Sequence, residues 1–103
     1  MDLEMLKQIC ECQEQREKAA LVTIVDTRGS TPRKAGSKML ILPDGKSFGT
    51  IGDGCSEGDV RRQALTAMDE NRSRLYTVSM LNEVAADEGM VCGGMMEVFI
   101  QII

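Results

Sequence analysis

"MLILPDGKSFGTIG", residues 39–52, sets two apolar runs on either side of Pro-Asp-Gly. Pro43 presets φ for a turn, Asp44 tolerates the bridge region, and Gly45 takes the positive φ that closes a tight reversal. The stretch reads as a β-hairpin, so the middle of the chain is antiparallel. Upstream, "ALVTIVD" (20–26) is a short β-branched run suited to a buried central strand. Downstream, "RLYTVSML" (74–81) alternates, with Tyr76, Val78 and Met80 on one side. "MMEVFIQII" (95–103) puts Met96, Val98, Ile100 and Ile102 on one face.

Two segments have helical spacing. Residues 2–18 carry Leu3, Leu6, Ile9 and Cys10 between charges, as an opening helix lying on a sheet would. In the second, Val60, Ala64, Ala67 and Met68 share a face, with Ser56 as N-cap, Asp59 at N3 and Asn71 closing the end. The expectation is an α+β fold of about five mostly antiparallel strands with two helices packed on the sheet. Residues 1–103 form a single domain: the N-terminal helix over 2–18 and a core over 20–103. A chain of this length buries about two thirds of its unfolded surface, enough for a core without staples.

Composition narrows the function. Sixteen acids against twelve bases give a net charge of −4, a field that repels nucleic acid and anionic membranes. The N-terminus has no apolar h-region and no run is long enough to span a bilayer, so the expected location is cytoplasmic. There, Cys10, Cys12, Cys55 and Cys92 are reduced thiols rather than a disulfide framework. With no histidine in the chain, Ser-His and Cys-His couples and imidazole metal sites are excluded. Cys10 and Cys12, two apart on a helix, point to nearly opposite sides and read as packing or surface residues.

Three loops carry the chemistry. No acid occurs from Thr27 through Pro43, whereas Arg28, Arg33, Lys34 and Lys38 place a third of the positive charge there. Ser30 and Thr31 add hydroxyl donors, and Pro32 stiffens the turn presenting Arg33, whose planar fork suits phosphate. The bland alternative is a solvated basic loop.

The second loop, "GTIGDGCSEGD" (49–59), runs through Gly49, Gly52 and Gly54 into a helix start at Cys55. Its spacing is the reverse of the dinucleotide fingerprint, but a strand passing through glycines into a helix N-terminus offers free N–H groups and a positive dipole end. Cys55 sits where that dipole favours a thiolate, opposed by Asp53 and Glu57. The bland alternative is a small apolar cysteine tucked under the helix. The third loop, "DEGMVCGGMME" (87–97), puts Cys92 before two glycines and offers a second thiol if the fold brings the loops together.

"GSTPRKAGSKML", "GTIGDGCSE" and "GMVCGGMMEV", in that order, resemble the N-terminal domain of the XdhC/CoxI family, accessory proteins of xanthine dehydrogenase and related molybdenum hydroxylases. The resemblance runs from about Leu21 onward. It implies a maturation chaperone that binds molybdenum cofactor (molybdopterin) as transient cargo, protects it while a cysteine desulfurase supplies its sulfido ligand, and delivers it to the hydroxylase apoenzyme. By the same resemblance, Cys55 and Cys92 fall on the family's cysteines as contacts of the molybdenum centre, Arg33 on its phosphate-side arginine, and Glu57 on the acid after the cysteine. Lys34, Ser30, Gly52 and Gly54 complete the expected cofactor site. The family's run of three glycines is here Gly52-Asp53-Gly54, which sets a carboxylate beside the anion site.

Typical members continue into a nucleotide-binding-like second domain, so a separately encoded partner of that kind is a further expectation, as is a homodimer covering apolar edge strands. No turnover is implied. Two other readings stand beside the chaperone: a module that docks a hydroxylase or desulfurase without holding cofactor, and a thiol enzyme using Cys55 for persulfide or peroxide chemistry.

Overall fold

The computed structural model describes residues 2–29, 31, 33–52, 54–79 and 94–103. The elements run α1 (Leu3–Glu14), β1 (Ala20–Arg28), β2 (Lys38–Ile41), β3 (Ser47–Gly49), α2 (Gly54–Glu70), β4 (Arg74–Ser79) and β5 (Met95–Ile102). The strands form one sheet in the order β3-β2-β1-β5-β4, every neighbouring pair antiparallel. This is the expected α+β architecture.

The hairpin forms as its turn residues require. Gly45 N–H donates to the Leu42 carbonyl at 2.9 Å and Leu42 N–H to the Lys46 carbonyl at 2.9 Å, with Gly45 at φ 90°. This is a type I turn followed by a left-handed glycine. The Asp44 carboxylate accepts from Lys46 N–H at 3.0 Å.

Alternation along the strands sorts side chains onto two faces. Val22, Ile24, Met39, Ile41, Val78, Met96, Val98 and Ile100 pack with Val60, Ala64, Ala67 and Met68 of α2 to form the main core. Fully burying each such aliphatic side chain contributes about 1.5–3 kcal/mol. On the opposite face, Leu40 packs with Met5, Cys12 and Ala19, joined by Ile9, Leu21 and Phe48. The two helices therefore lie on opposite faces, and α1 packs toward the β2–β3 side of its own.

Both helices differ in detail from the sequence reading. The first ends at Glu14 rather than at residue 18, because Arg16 turns left-handed at φ 57° and Glu17 N–H bonds back to the Cys12 carbonyl at 2.8 Å. Its buried residues are Met5 and Cys12, whereas Leu3, Leu6 and Cys10 are exposed. Helical spacing defined an apolar stripe, but the position of β2 and β3 decided which flank of it found a partner. The start of α1 is capped by Asp2, which accepts from Met5 N–H at 2.8 Å.

The second helix begins at Gly54, two residues ahead of the expected cap, so Ser56 is a buried helical residue rather than an N-cap. Asp59 instead accepts a 2.7 Å bond from the Tyr76 hydroxyl and meets Arg62 at 3.3 Å. The C-terminus follows expectation: Asn71 adopts φ 55° and Arg72 N–H closes onto the Ala67 carbonyl at 3.0 Å.

The Tyr76 bond carries a pH signature. The hydrogen bond to Asp59 raises the phenol's pKa above its ordinary value, and desolvation and the Asp59 charge add to the rise. The fold thus favours the protonated phenol. That contribution is intact below the unfolded value of about 10 and is lost as pH climbs from there through the higher folded value. Tyr76 is the sole tyrosine in the chain, so tyrosinate absorbance reads it directly. The folded midpoint should exceed that in denaturant, and Asp59→Asn should lower it; coincident folded and unfolded midpoints would remove the bond.

Candidate functional site

Strand direction gathers the loops. β1 runs on to Arg28, and β2, antiparallel to it, begins at Lys38, paired with Thr23. β3 returns to the same end at Gly49, paired with Met39, and hands the chain to α2. β4 finishes there at Ser79, and β5 starts there at Met95. The basic loop after Arg28 and the glycine loop after Gly49 therefore leave the sheet toward the same end, with β2 and β3 stopping level with Thr23 and Val22, short of Arg28. α2 begins at that end. So does α1, since Met5 in its first turn lies against Gly49. Two helix N-termini accompany the loops, which adds positive dipole ends to the basic side chains.

The glycine loop is held from below by an acid. Glu57, the fourth residue of α2, accepts from the Thr50 hydroxyl and, at 3.3 Å, from Ile51 N–H. The Thr50 oxygen in turn accepts from Gly52 N–H at 3.2 Å. Its single hydroxyl proton is committed to Glu57, so the carboxylate and the threonine lock the turn between β3 and α2. Ile51 is fully buried beneath it.

Above this brace Cys55 is exposed, as the second residue of α2. The exposure removes the reading of a thiol tucked under the helix. Beside it Gly54 opens onto free space. Arg33 and Lys34 are exposed in the basic loop, where the Thr31 hydroxyl donates to the Arg33 carbonyl at 2.9 Å and Lys38 Nζ to the Gly36 carbonyl at 3.4 Å. Of the expected site residues, Arg33, Lys34, Gly52, Gly54, Cys55 and Glu57 fall at or beneath this end. Ser30, Asp53 and Cys92 lie outside the described residues.

Sequence reasoning missed Thr50. The available signal was a hydroxyl at the end of a strand, seven residues before an acid in the first turn of a helix. The other described thiols differ from Cys55: Cys10 is exposed on α1, while burial pushes the Cys12 thiol up, with Glu17 and Glu11 adding to the rise. Among the described residues no group of three or more Cys, Asp or Glu gathers as a metal site. No helix there is long and apolar enough to cross a membrane.

Residues 12–79, which take in the basic loop, the glycine loop and most of the sheet, match the model of the XdhC and CoxI family. The chain belongs to that family. It is 38% identical over 100 residues, 97% of its length, to the uncharacterized Escherichia coli protein YqeB, of which it spans 18%. It is 38% identical over 80 residues to a probable xanthine dehydrogenase subunit of Bacillus subtilis, covering 78% of this chain and 24% of that protein. It is also 38% identical over 56 residues to the E. coli molybdenum cofactor insertion chaperone PaoD, covering 54% of this chain and 18% of PaoD.

The crystal structure of a xanthine dehydrogenase from Bacillus halodurans shares the fold, with a TM-score of 0.73 over 93% of this chain and 29% of that one, at 22% identity. The chain thus spans less than a third of the length of each of these relatives.

Proposed function

We propose that this domain is the cofactor-handling part of a maturation chaperone for a xanthine dehydrogenase-type molybdenum hydroxylase. The observation that supports the reading is that the basic loop, the glycine loop and the N-terminus of α2 lie toward one end of the sheet, with an exposed thiol in the first turn of α2. The cargo, molybdenum cofactor, combines a phosphate tail with a thiophilic oxo-metal centre. The donor set suits both ends: Arg33 and Lys34 for the phosphate, and Cys55 with the α2 N–H groups for the metal end. Gly52 and Gly54 let the backbone approach, and Glu57 keeps the turn in shape through Thr50. Cys92 and Ser30 complete the set as a second thiol and a hydroxyl donor. The name of PaoD, a molybdenum cofactor insertion chaperone, supports the same assignment. The hydroxylase apoenzyme and a cysteine desulfurase are the partners this role requires.

Anaerobic titration with isolated molybdenum cofactor tests the proposal, reading molybdenum and pterin retained after ultrafiltration. Stoichiometric retention is expected, with loss in Cys55→Ser and weakening of about tenfold, or 1.4 kcal/mol, in Arg33→Ala. Failure of the unaltered chain to retain cofactor would overturn the reading.

A further inference from the structure

Among the described residues, the sheet face that carries α1 is half bare. α1 lies over β2 and β3, but on β1, β5 and β4 the same face leaves Val25 45%, Leu75 60% and Met95 44% exposed, with Phe99 between them half-buried. Its upper part is a groove of about 220 Å³ lined by Asp26, Arg28, Thr77, Met95, Met96 and Glu97. A bulge at Val25 widens it, because Ile24 pairs with Val98 and Asp26 with Glu97, leaving Val25 unmatched.

That pairing sets two exposed carboxylates directly opposite each other, an arrangement that costs stability unless a cation answers it. Arg28 answers weakly, 3.9 Å from Asp26 and largely solvated. The opposite margin is also acidic. A right-handed β3-α2-β4 crossover fixes the lateral order of the strands. Met5 and Cys12 of α1 are buried against the sheet, and Glu4 and Glu11 are exposed on the helix that borders the bare half.

We infer that this half-face is the docking surface for one amphipathic helix of a partner, apolar along its centre and bearing Lys or Arg at its margins. Dimensions argue for a helix: three strands about 4.8 Å apart leave a strip about 10–14 Å wide, the width of one helix. α1 and the docked helix would then complete a two-helix layer over five strands. Charge argues for a basic one and against the nearest alternatives. A second copy would bring a like-charged face, and residues 80–93 of this chain contain three acids and no base. The surface lies on the flat of the sheet, away from the glycine loop, so the inference does not rest on the cofactor reading.

The probes are two synthetic peptides of about eighteen residues, roughly the length of the strip when helical, one patterned Leu/Lys and the other Leu/Glu. Each is titrated into the isotopically labelled full chain while backbone amide shifts are followed. The Leu/Lys peptide should move amides of residues 24–26, 75–77 and 95–99 and leave α2 unmoved, whereas the Leu/Glu peptide should bind at least about tenfold more weakly. Leu75→Lys and Glu97→Lys, both at exposed positions, should each weaken the Leu/Lys peptide about tenfold with a thermal midpoint no lower than that of the unaltered chain. Shifts scattered over the acidic surface and indifferent to both variants would overturn the inference, as would no shifts at all. Concentration-dependent shifts of this face without peptide would assign it to a second copy instead.

Discussion

Gly49→Ala is expected to lower the thermal midpoint by about 10–25 °C, the stability equivalent of about 2–4 kcal/mol in a domain of this size. Gly49 ends β3 at φ 81°, and a Cβ there would stand 2.5 Å from Met5 Cε and 2.6 Å from the Lys38 carbonyl oxygen. The methionine tip can move aside, but the carbonyl belongs to β2 and shifts only with the strand. The left-handed conformation itself costs an L-residue about 1–2 kcal/mol. A graded control is available within the chain. Gly36 has φ 97° with nothing near its Cβ position, so alanine there should cost only the conformational part. Gly54, open and in the first turn of α2, should accept alanine with no loss. Thermal unfolding followed by circular dichroism ranks the three, and equal midpoints for the Gly49 and Gly36 variants would show that the contact with β2 is not tight.

Glu57→Ala should cost about 2–3 kcal/mol, because it strips a charged acceptor from the Thr50 hydroxyl and Ile51 N–H at a half-buried turn. Glu57→Gln retains an acceptor oxygen for both donors and should lose less than half as much. Amide exchange of Ile51 and Gly52 separates a local from a global effect. In the alanine variant these amides should exchange faster relative to those of β1, so that the turn opens ahead of the sheet. Unchanged protection at both would mean that Thr50 holds the turn unaided. If the cofactor reading stands, the same variant should also weaken retention while leaving the Cys55 thiol in place, since the turn positions α2's first N–H groups.

The hairpin, the central strand and the inward faces of β4 and β5 were legible because each is governed by short-range rules: a Pro-Asp-Gly turn and a period of two. The α1 face was not. Leu3, Leu6 and Cys10 make as good a stripe as Met5, Ile9 and Cys12, and only the placement of β2 and β3 chose between them. The end of α1 was missed for a similar reason, since nothing local in Gln15-Arg16-Glu17 announces a left-handed arginine. At the candidate site, residue types marked the basic and glycine loops, yet that both lie toward one end of the sheet depends on the antiparallel pairing of strands far apart in the chain. The Thr50–Glu57 brace was hidden because it joins a strand end to a helix turn, and no periodicity reports such a bond.

The placement of β5 bears on how the domain comes into being. Among the described strands it comes last in chain order, yet it sits between β1 and β4, with Ala20 facing Ile102 and Arg74 facing Ile100. Until residues 95–102 have been made, β4 has no neighbour to join, β1 has one open edge and α2 lacks Met96, Val98 and Ile100 beneath it. The β2–β3 hairpin and α1 can assemble early, but the main core closes only when residues as distant in sequence as Ala20 and Ile102 pair, and such long-range pairing slows folding. A growing chain therefore holds α2 and β4 as unfinished, aggregation-prone pieces until β5 slides into the middle of the sheet.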